Sequence, residues 1–161
     1  MSSGIMHFVY DDGGRADYGY KGKVGDCACR AAAIATGLPY QTVYDGINQS
    51  AASERKSTRK RGRSSARNGV HSVTMRRYMA SLGWDWVPTM RIGSGCAVHL
   101  ADGELPMGRL VVQVSKHYTA VIDGTIHDTH DPQRATIVCQ AGVQRIAQRC
   151  VYGYWIKRAS R

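Results

Sequence analysis

An alanine-rich run behind Gly25-Asp26-Cys27 most constrains how this chain can fold. Residues 27–35 are mostly alanine, the residue with the highest helix propensity. Asp26 is of a type that favours the N-cap, where its carboxylate accepts hydrogen bonds from free backbone amides. Cys27 then lies in the first turn, where the positive end of the helix dipole favours a thiolate. The sequence therefore predicts a helix that begins near Cys27, ends before Gly37, and carries an easily ionised thiol.

Residues 115–128 predict a β-hairpin further along the chain. Two apolar strands flank Asp123-Gly124, a dipeptide that favours a two-residue turn. His117 begins the first strand and Asp128 ends the second. A two-residue turn places these two side chains on the same face, one diagonal step apart, with about 7 Å between their backbones. His127 then points to the opposite face.

A cysteine on a helix, a histidine on a strand and an acid on the next strand together predict thiol catalysis. Cys27 would attack a carbonyl as a thiolate, His117 would take and return the proton, and Asp128 would orient the imidazole and favour its charged form. Cys29 lies about 200° around the helix from Cys27, so only one of the two thiols can face the histidine. His130 is the main rival to Asp128, but a second imidazole would disfavour a charged His117.

The length and composition indicate a single domain. The chain has 161 residues, of which 43% are hydrophobic, and this is enough for one core. The sequence contains no run of about 18 apolar residues that would predict a membrane span. Residues 1–7 lack the charged and apolar regions of a signal peptide. We therefore expect one domain over residues 1–161, located in the cytoplasm.

The chain contains five cysteines, an odd number without the close spacing of a disulfide framework. This pattern predicts free thiols in a reducing compartment. Cys96, Cys139 and Cys150 are accordingly interpreted as small buried apolar residues.

The remaining pattern predicts helices first and an antiparallel sheet afterwards. Apolar residues at helical spacing predict a second helix that starts at Leu38-Pro39 and runs through Ile47. A third helix is predicted with Ser72 as its N-cap and an end before Gly83. Since the helices precede the sheet, the predicted fold class is α+β. The further strands are predicted at residues 5–10, 84–87, 109–114 and 151–156.

A Ser-rich segment, at about residues 54–68, carries much of the positive charge. The net charge is +10, and seven of the 22 Lys and Arg residues lie in this segment. We expect a basic mobile loop on a nearly neutral body, with a weak nucleic-acid contact as the alternative. The segment lacks the aromatic residues that interleave with basic ones in single-strand-binding platforms. The seven residues are Arg55, Lys56, Arg59, Lys60, Arg61, Arg63 and Arg67.

These motifs also resemble a known family. A Gly25-Asp26-Cys27 sequence before a helix, with His117 opening a strand and Asp128 on the next, is similar to papain-like cysteine peptidases. The Asp-Cys pair looks most similar to the C39-type branch, which processes bacteriocin leaders. The resemblance covers residues 20–45 and 108–132 and extends to an uncharacterised papain-like group from phages and bacteria. It implies a papain-like α+β fold, a peptide or protein substrate, and neither cofactor nor metal. If a phage encodes the chain, the location is the host cytoplasm.

One position departs from the family pattern. The family has a glutamine six positions before the cysteine, and its amide donates to the oxyanion. This chain has Lys21 at that position. Three interpretations stay open: Lys21 acts electrostatically, the Cys27 amide acts alone, or the fold persists without hydrolysis.

Other functions also stay open from the sequence. His117, Asp128 and His130 form a set of two histidines and one carboxylate that suits a non-haem metal. An inactive papain-like fold can instead bind a partner through its basic loop. The scissile bond is open too, because peptide, isopeptide and other amide hydrolysis and transglutamination use the same cysteine and histidine.

Overall fold

The computed structural model describes residues 4–22, 25–55 and 62–159. In this part of the chain a short 3-10 helix at Arg15–Tyr18 precedes three α-helices. They are α1 (Cys27–Thr36), α2 (Tyr40–Ala52) and α3 (Ser72–Ser81). The strands are β1 (His7–Tyr10), β2 (Trp84–Pro88), β3 (Met90–Arg91), β4 (Gly95–Cys96), β5 (Arg109–Val114), β6 (His117–Ile122), β7 (Thr125–Asp128), β8 (Thr136–Gln140), β9 (Val143–Ala147) and β10 (Val151–Lys157). The chain is therefore α+β.

The main sheet has six strands in the order β1-β7-β6-β5-β10-β2. Adjacent strands in this sheet pair antiparallel, except that β1 pairs parallel with β7. The predicted sheet was antiparallel, but the observed sheet is mixed. The difference lies in β1, which comes from the N-terminal part of the sequence and is not joined to β7 by a hairpin. Two short hairpins, β3–β4 and β8–β9, form separate ribbons that the sequence pattern did not predict.

The helix boundaries follow local sequence signals. Gly37 ends α1 with a φ of 74° and donates its amide to the Ala33 carbonyl at 2.9 Å, which is the usual role of a glycine after a helix. α2 begins directly after Pro39, a residue that does not interrupt a helix when it stands at the start. In α3 the N-cap is His71 rather than Ser72, a shift of one residue from the prediction.

The apolar core lies on both faces of the main sheet. On one face the helices pack against strand residues such as Val111, Ala120 and Trp155. On the other face Met6 and Leu100 cover a second apolar cluster. Helix α1 packs against strand β6. This packing brings the start of the helix close to the start of the strand.

Two of the cysteines expected to be free and buried form a disulfide instead. Cys96 and Cys150 are joined, with 5.9 Å between their Cα atoms, a normal distance for a disulfide. The third, Cys139, is exposed. The expectation failed because a bridge between His99 and Cys150 pairs segments that are distant in sequence, and the spacing of the cysteines does not reveal this pairing.

Part of the expected mobile loop packs into the fold. Ser64 and Ala66 are buried, and the Ala66 amide donates to Oδ1 of Asn48 at 2.9 Å. The carboxylate of Glu54 accepts from the Ser64 amide at 3.0 Å. The first part of the loop, with Lys56, Arg59, Lys60 and Arg61, lies outside the described residues. Residues 62–68 therefore form a packed segment, because buried small side chains and hydrogen bonds to α2 and its C-terminal end hold them.

Within the described ranges, no helix is long and apolar enough to cross a membrane.

Candidate active site

The β6–β7 hairpin has the predicted register. Ala120 pairs with His127, and Val121 pairs with Ile126. Asp123 and Gly124 have φ values of 48° and 79°, and positive φ at both positions is what a two-residue hairpin turn of this kind requires. The register therefore follows from the turn, as expected from Asp123-Gly124.

His117 and Asp128 form a close pair across this hairpin. Nε2 of His117 lies 2.7 Å from Oδ2 of Asp128, whose side chain is 3% exposed. Burial alone would lower the pKa of His117, but its hydrogen bond with Asp128 and its interaction with Cys27 raise that pKa from 6.5 to about 9. Burial would raise the pKa of Asp128, yet the hydrogen bond from His117 holds it below its ordinary value. The pair thus favours an imidazolium beside a carboxylate.

Cys27 completes this arrangement at the start of α1. Its thiol lines the same cleft as His117 and Tyr118. Burial would raise the pKa of Cys27, but interactions with the His117 side chain, with the charge of His117 and with the Tyr118 backbone hold that pKa below 9.0. Because Nε2 of His117 faces Asp128, Nδ1 is the ring nitrogen left for the sulfur. The structure therefore brings Cys27, His117 and Asp128 together in the predicted order.

Cys29 faces away from this group, as the helical spacing predicted. Its side chain is fully buried, and Sγ lies 3.9 Å from the carbonyl oxygen of Tyr40. Burial raises the pKa of Cys29 to about 12. Cys29 is consequently a core residue and a poor nucleophile.

Asp26 occupies the N-cap position, but its side chain does not cap the helix, in contrast to the prediction. Its fully buried carboxylate instead forms an ion pair with Arg30, one turn later, and accepts from the Tyr40 hydroxyl at 2.8 Å. Arg15 also contacts this carboxylate, with 3.3 Å between its Nη1 and Oδ1 of Asp26. A buried charge requires charged partners, and the cations nearby satisfy it better than backbone amides do.

An open cleft of about 430 Å³ gives access to Cys27 and His117. One wall is the packed segment that precedes α3, including Asn68 and His71, and the other is the sheet, including Gln113. The Tyr118 hydroxyl donates to the Val70 carbonyl at 3.2 Å and ties the two walls together. The thiol is therefore sheltered but reachable.

The structure does not place Lys21 in this cleft. Its side chain is exposed, and the cleft is lined by other residues. The Lys21 carbonyl accepts from Arg67 at 3.2 Å, and the Arg67 guanidinium lies 5.7 Å from the ring centre of Tyr20. Two residues with side-chain amides, Asn68 and Gln113, line the cleft instead, and neither was predicted from the sequence. No sequence motif marks them, because both reach the site only through tertiary packing.

The other predicted site residues are dispersed. Arg55 and Arg63 are exposed, whereas Arg67 is half-buried against Tyr20. The His130 ring is exposed, and its centre lies 5.0 Å from that of His117. Across the described parts of the chain, no three His, Cys, Asp or Glu side chains are grouped so as to hold a metal ion.

Comparison with protein-family models, with curated proteins and with solved structures found no match to this chain. The interpretation of function therefore depends on the geometry of the site.

Proposed function

We propose that this protein is a papain-like cysteine peptidase or amidase that carries out acyl transfer through Cys27, His117 and Asp128. One observation carries the proposal: Cys27 and His117 line the same cleft, where His117 lowers the pKa of the thiol, and Nε2 of His117 lies 2.7 Å from Oδ2 of Asp128. A nucleophile, a base within reach of it and a third group that orients the base form the arrangement of nucleophilic catalysis. The order of helix thiol, strand histidine and strand acid supports the papain-like assignment.

The proposed reaction begins from a Cys27 thiolate beside a His117 imidazolium. The thiolate attacks the substrate carbonyl, and His117 donates its proton to the leaving amine as the carbon–nitrogen bond breaks. The acyl group is then bound to the sulfur as a thioester. A water molecule attacks this thioester, with His117 as the base, and releases the acid and the thiolate. Asp128 holds the imidazole and stabilises its charge throughout both halves of the reaction.

The negative oxygen of the tetrahedral intermediate needs hydrogen-bond donors. The Cys27 backbone amide lies in the first turn of α1, where backbone amides have no partner in the helix. Gln113 provides a side-chain amide on the sheet wall of the same cleft, and it is half-buried, whereas Asn68 is exposed. We assign the second donor to Gln113, because a half-buried amide on a central strand is held more firmly than an exposed one on a turn. This assignment replaces the role expected at Lys21.

A two-part experiment tests the proposal and does not require an identified substrate. The purified protein is treated at pH 6 with an iodoacetamide probe, and the labelled cysteine is identified by mass spectrometry. The same protein is then assayed with a panel of fluorogenic peptide amides. We expect labelling at Cys27 and at least one cleaved amide, with both lost in Cys27→Ala and both retained in Cys29→Ala.

Two results would contradict the proposal. One is hydrolysis that persists in Cys27→Ala. The other is a Cys27 that reacts no faster than a free cysteine at pH 6, since the proposed pair requires a thiolate at that pH. The second result leaves the binding alternative, and retention on a nucleic-acid column at low but not high salt would then support it.

A further inference from the structure

We propose that Arg30 is a positioning residue of this site, which fixes the orientation of Asp128 and thereby supports the Cys27–His117 pair. The inference rests on the proposed function and adds a residue that neither the motif nor the resemblance includes. Arg30 does not touch the substrate cleft, so its effect passes through Asp128.

The geometry divides the two oxygens of Asp128 between different partners. Nη2 of Arg30 lies 3.4 Å from Oδ1, and the Thr129 amide donates to the same oxygen at 2.7 Å. Oδ2 is left to His117 at 2.7 Å. With Oδ1 held by two donors, the carboxylate cannot rotate without breaking these bonds, and Oδ2 stays directed at the imidazole.

The other end of Arg30 is held equally firmly. Nη1 forms an ion pair with Asp26, four residues earlier on the same helix face. The Arg30 side chain is only 6% exposed. One guanidinium therefore connects the buried start of α1 with the end of β7, and its planar fork suits contact with two carboxylates at once.

Arg30 also brings a positive charge next to the carboxylate that supports His117. Without Arg30, Oδ1 of Asp128 loses a charged donor and keeps the Thr129 amide, so the carboxylate is held less firmly. Consistent with this, the charge of Arg30 contributes to holding the pKa of Cys27 low, after the larger effects of His117 and the Tyr118 backbone.

The test measures how the alkylation rate of Cys27 by iodoacetamide depends on pH. In Arg30→Met we expect the midpoint to rise by about one pH unit, which corresponds to about tenfold slower labelling below the midpoint. Arg30→Lys keeps the positive charge but lacks the planar guanidinium that contacts both carboxylates, so we expect a smaller rise of the midpoint. Arg15→Gln is the matched control: Arg15 contacts Asp26 without contacting Asp128, and its midpoint should stay near that of the original protein.

A double variant separates positioning from charge neutralisation. Arg30→Met leaves Asp26 short of a partner and can therefore disturb folding, which circular dichroism would detect. Asp26→Asn combined with Arg30→Met removes this unpaired charge while Asp128 still lacks Arg30. We expect the raised midpoint to persist in the double variant.

A midpoint that returns to the original value in the double variant would overturn the inference, because Arg30 would then serve only to neutralise Asp26. The inference would also be overturned if Arg15→Gln raised the midpoint of Cys27 alkylation as much as Arg30→Met does. His117→Ala distinguishes failure of this inference from failure of the proposed function. If His117→Ala shifts the midpoint but the Arg30 variants do not, only this inference fails. If His117→Ala causes no shift either, the proposed function fails.

Discussion

Nε2 of His117 and Oδ2 of Asp128 lie 2.7 Å apart at the open end of the β6–β7 hairpin. A hydrogen bond of this length between charged groups is about twice as strong as a neutral one. It also selects which ring nitrogen of His117 faces Cys27. A single short contact thus favours the charged form of His117 and directs its ring.

Replacing Asp128 by Asn tests this contact through the pH profile. With Asp128 in place, the pKa of His117 is about 9, so hydrolysis should fall as pH rises through about 9 and the imidazolium loses the proton for the leaving amine. In Asp128→Asn, burial is no longer offset by a charged acceptor, so the pKa of His117 falls. The alkaline limb should then move to lower pH, and kcat should fall by about 10²-fold or more.

An unchanged alkaline limb in Asp128→Asn would show that Asp128 does not support the imidazolium. Circular dichroism serves as the control for folding. Asp123→Asn, at the turn of the same hairpin, is the matched carboxylate substitution and should leave the limb where it is.

Labelling of the three free cysteines should separate Cys27 from the others. At pH 6 we expect Cys27 to react at least about tenfold faster than exposed Cys139, because His117 and the helix N-terminus favour its thiolate. Cys29 should stay unlabelled in the folded protein, since it is buried and its pKa is raised to about 12. Peptide mapping by mass spectrometry measures all three in one sample. Equal rates at Cys27 and Cys139 would remove the case for an activated thiol.

Gln113 should contribute to the rate of hydrolysis and not to thiol ionisation. In Gln113→Ala we expect kcat to fall by about 10²-fold, the usual effect of losing one donor to the oxyanion. The pH dependence of Cys27 alkylation should be unchanged, since alkylation forms no oxyanion. Asn68→Ala is the matched amide control and should retain most activity. The assignment of Gln113 is wrong if Asn68→Ala lowers kcat more than Gln113→Ala does.

Gly25 should be intolerant of a side chain. A Cβ at this position would lie 2.8 Å from the carbonyl oxygen of Asn68, closer than real Cβ atoms approach. We expect Gly25→Ala to displace the cleft wall, to lower the free energy of unfolding by about 1–3 kcal/mol, and to slow hydrolysis. Gly62→Ala is the control, because a Cβ there meets nothing within 4 Å. Urea unfolding and kinetics of both variants provide the measurement, and equal stabilities would contradict the expected steric conflict.

The Cys96–Cys150 disulfide should stabilise the fold independently of the site. It joins residues 54 positions apart, and closing a loop of this size typically contributes about 2–4 kcal/mol. Dithiothreitol should therefore lower the free energy of unfolding of the original protein. A Cys96→Ala/Cys150→Ala variant should show the lower value with or without the reductant. Identical stabilities of the oxidised and reduced protein would show that the bond contributes nothing.

The local elements of the site were accessible from the sequence. Alanine propensity and Gly37 predicted α1 with Cys27 in its first turn. Asp123-Gly124 predicted the two-residue turn, and the period-2 alternation of strands then determined that Asp128 rather than His127 shares a face with His117. Each of these features depends on short stretches of consecutive residues. Local conformational preferences of this kind can therefore be predicted from the sequence alone.

Tertiary structure decided the partners of buried charges and the walls of the cleft. Asp26 has the residue type of a helix cap, but burial beside Arg30 and Tyr40 turned its carboxylate inwards. Residues 62–68 have the composition of a loop, yet Ala66 packs in the core and Asn68 reaches the cleft.

In each of these cases the outcome depends on a segment that arrives from elsewhere in the chain. Local helix propensity contributes less than about 1 kcal/mol per residue to stability. Leaving a buried charge without a partner costs several kcal/mol. The sequence by itself therefore determined most helices and strands of the main sheet and the place of Cys27 in the first turn of α1, while the packing of distant segments determined which groups surround its thiol.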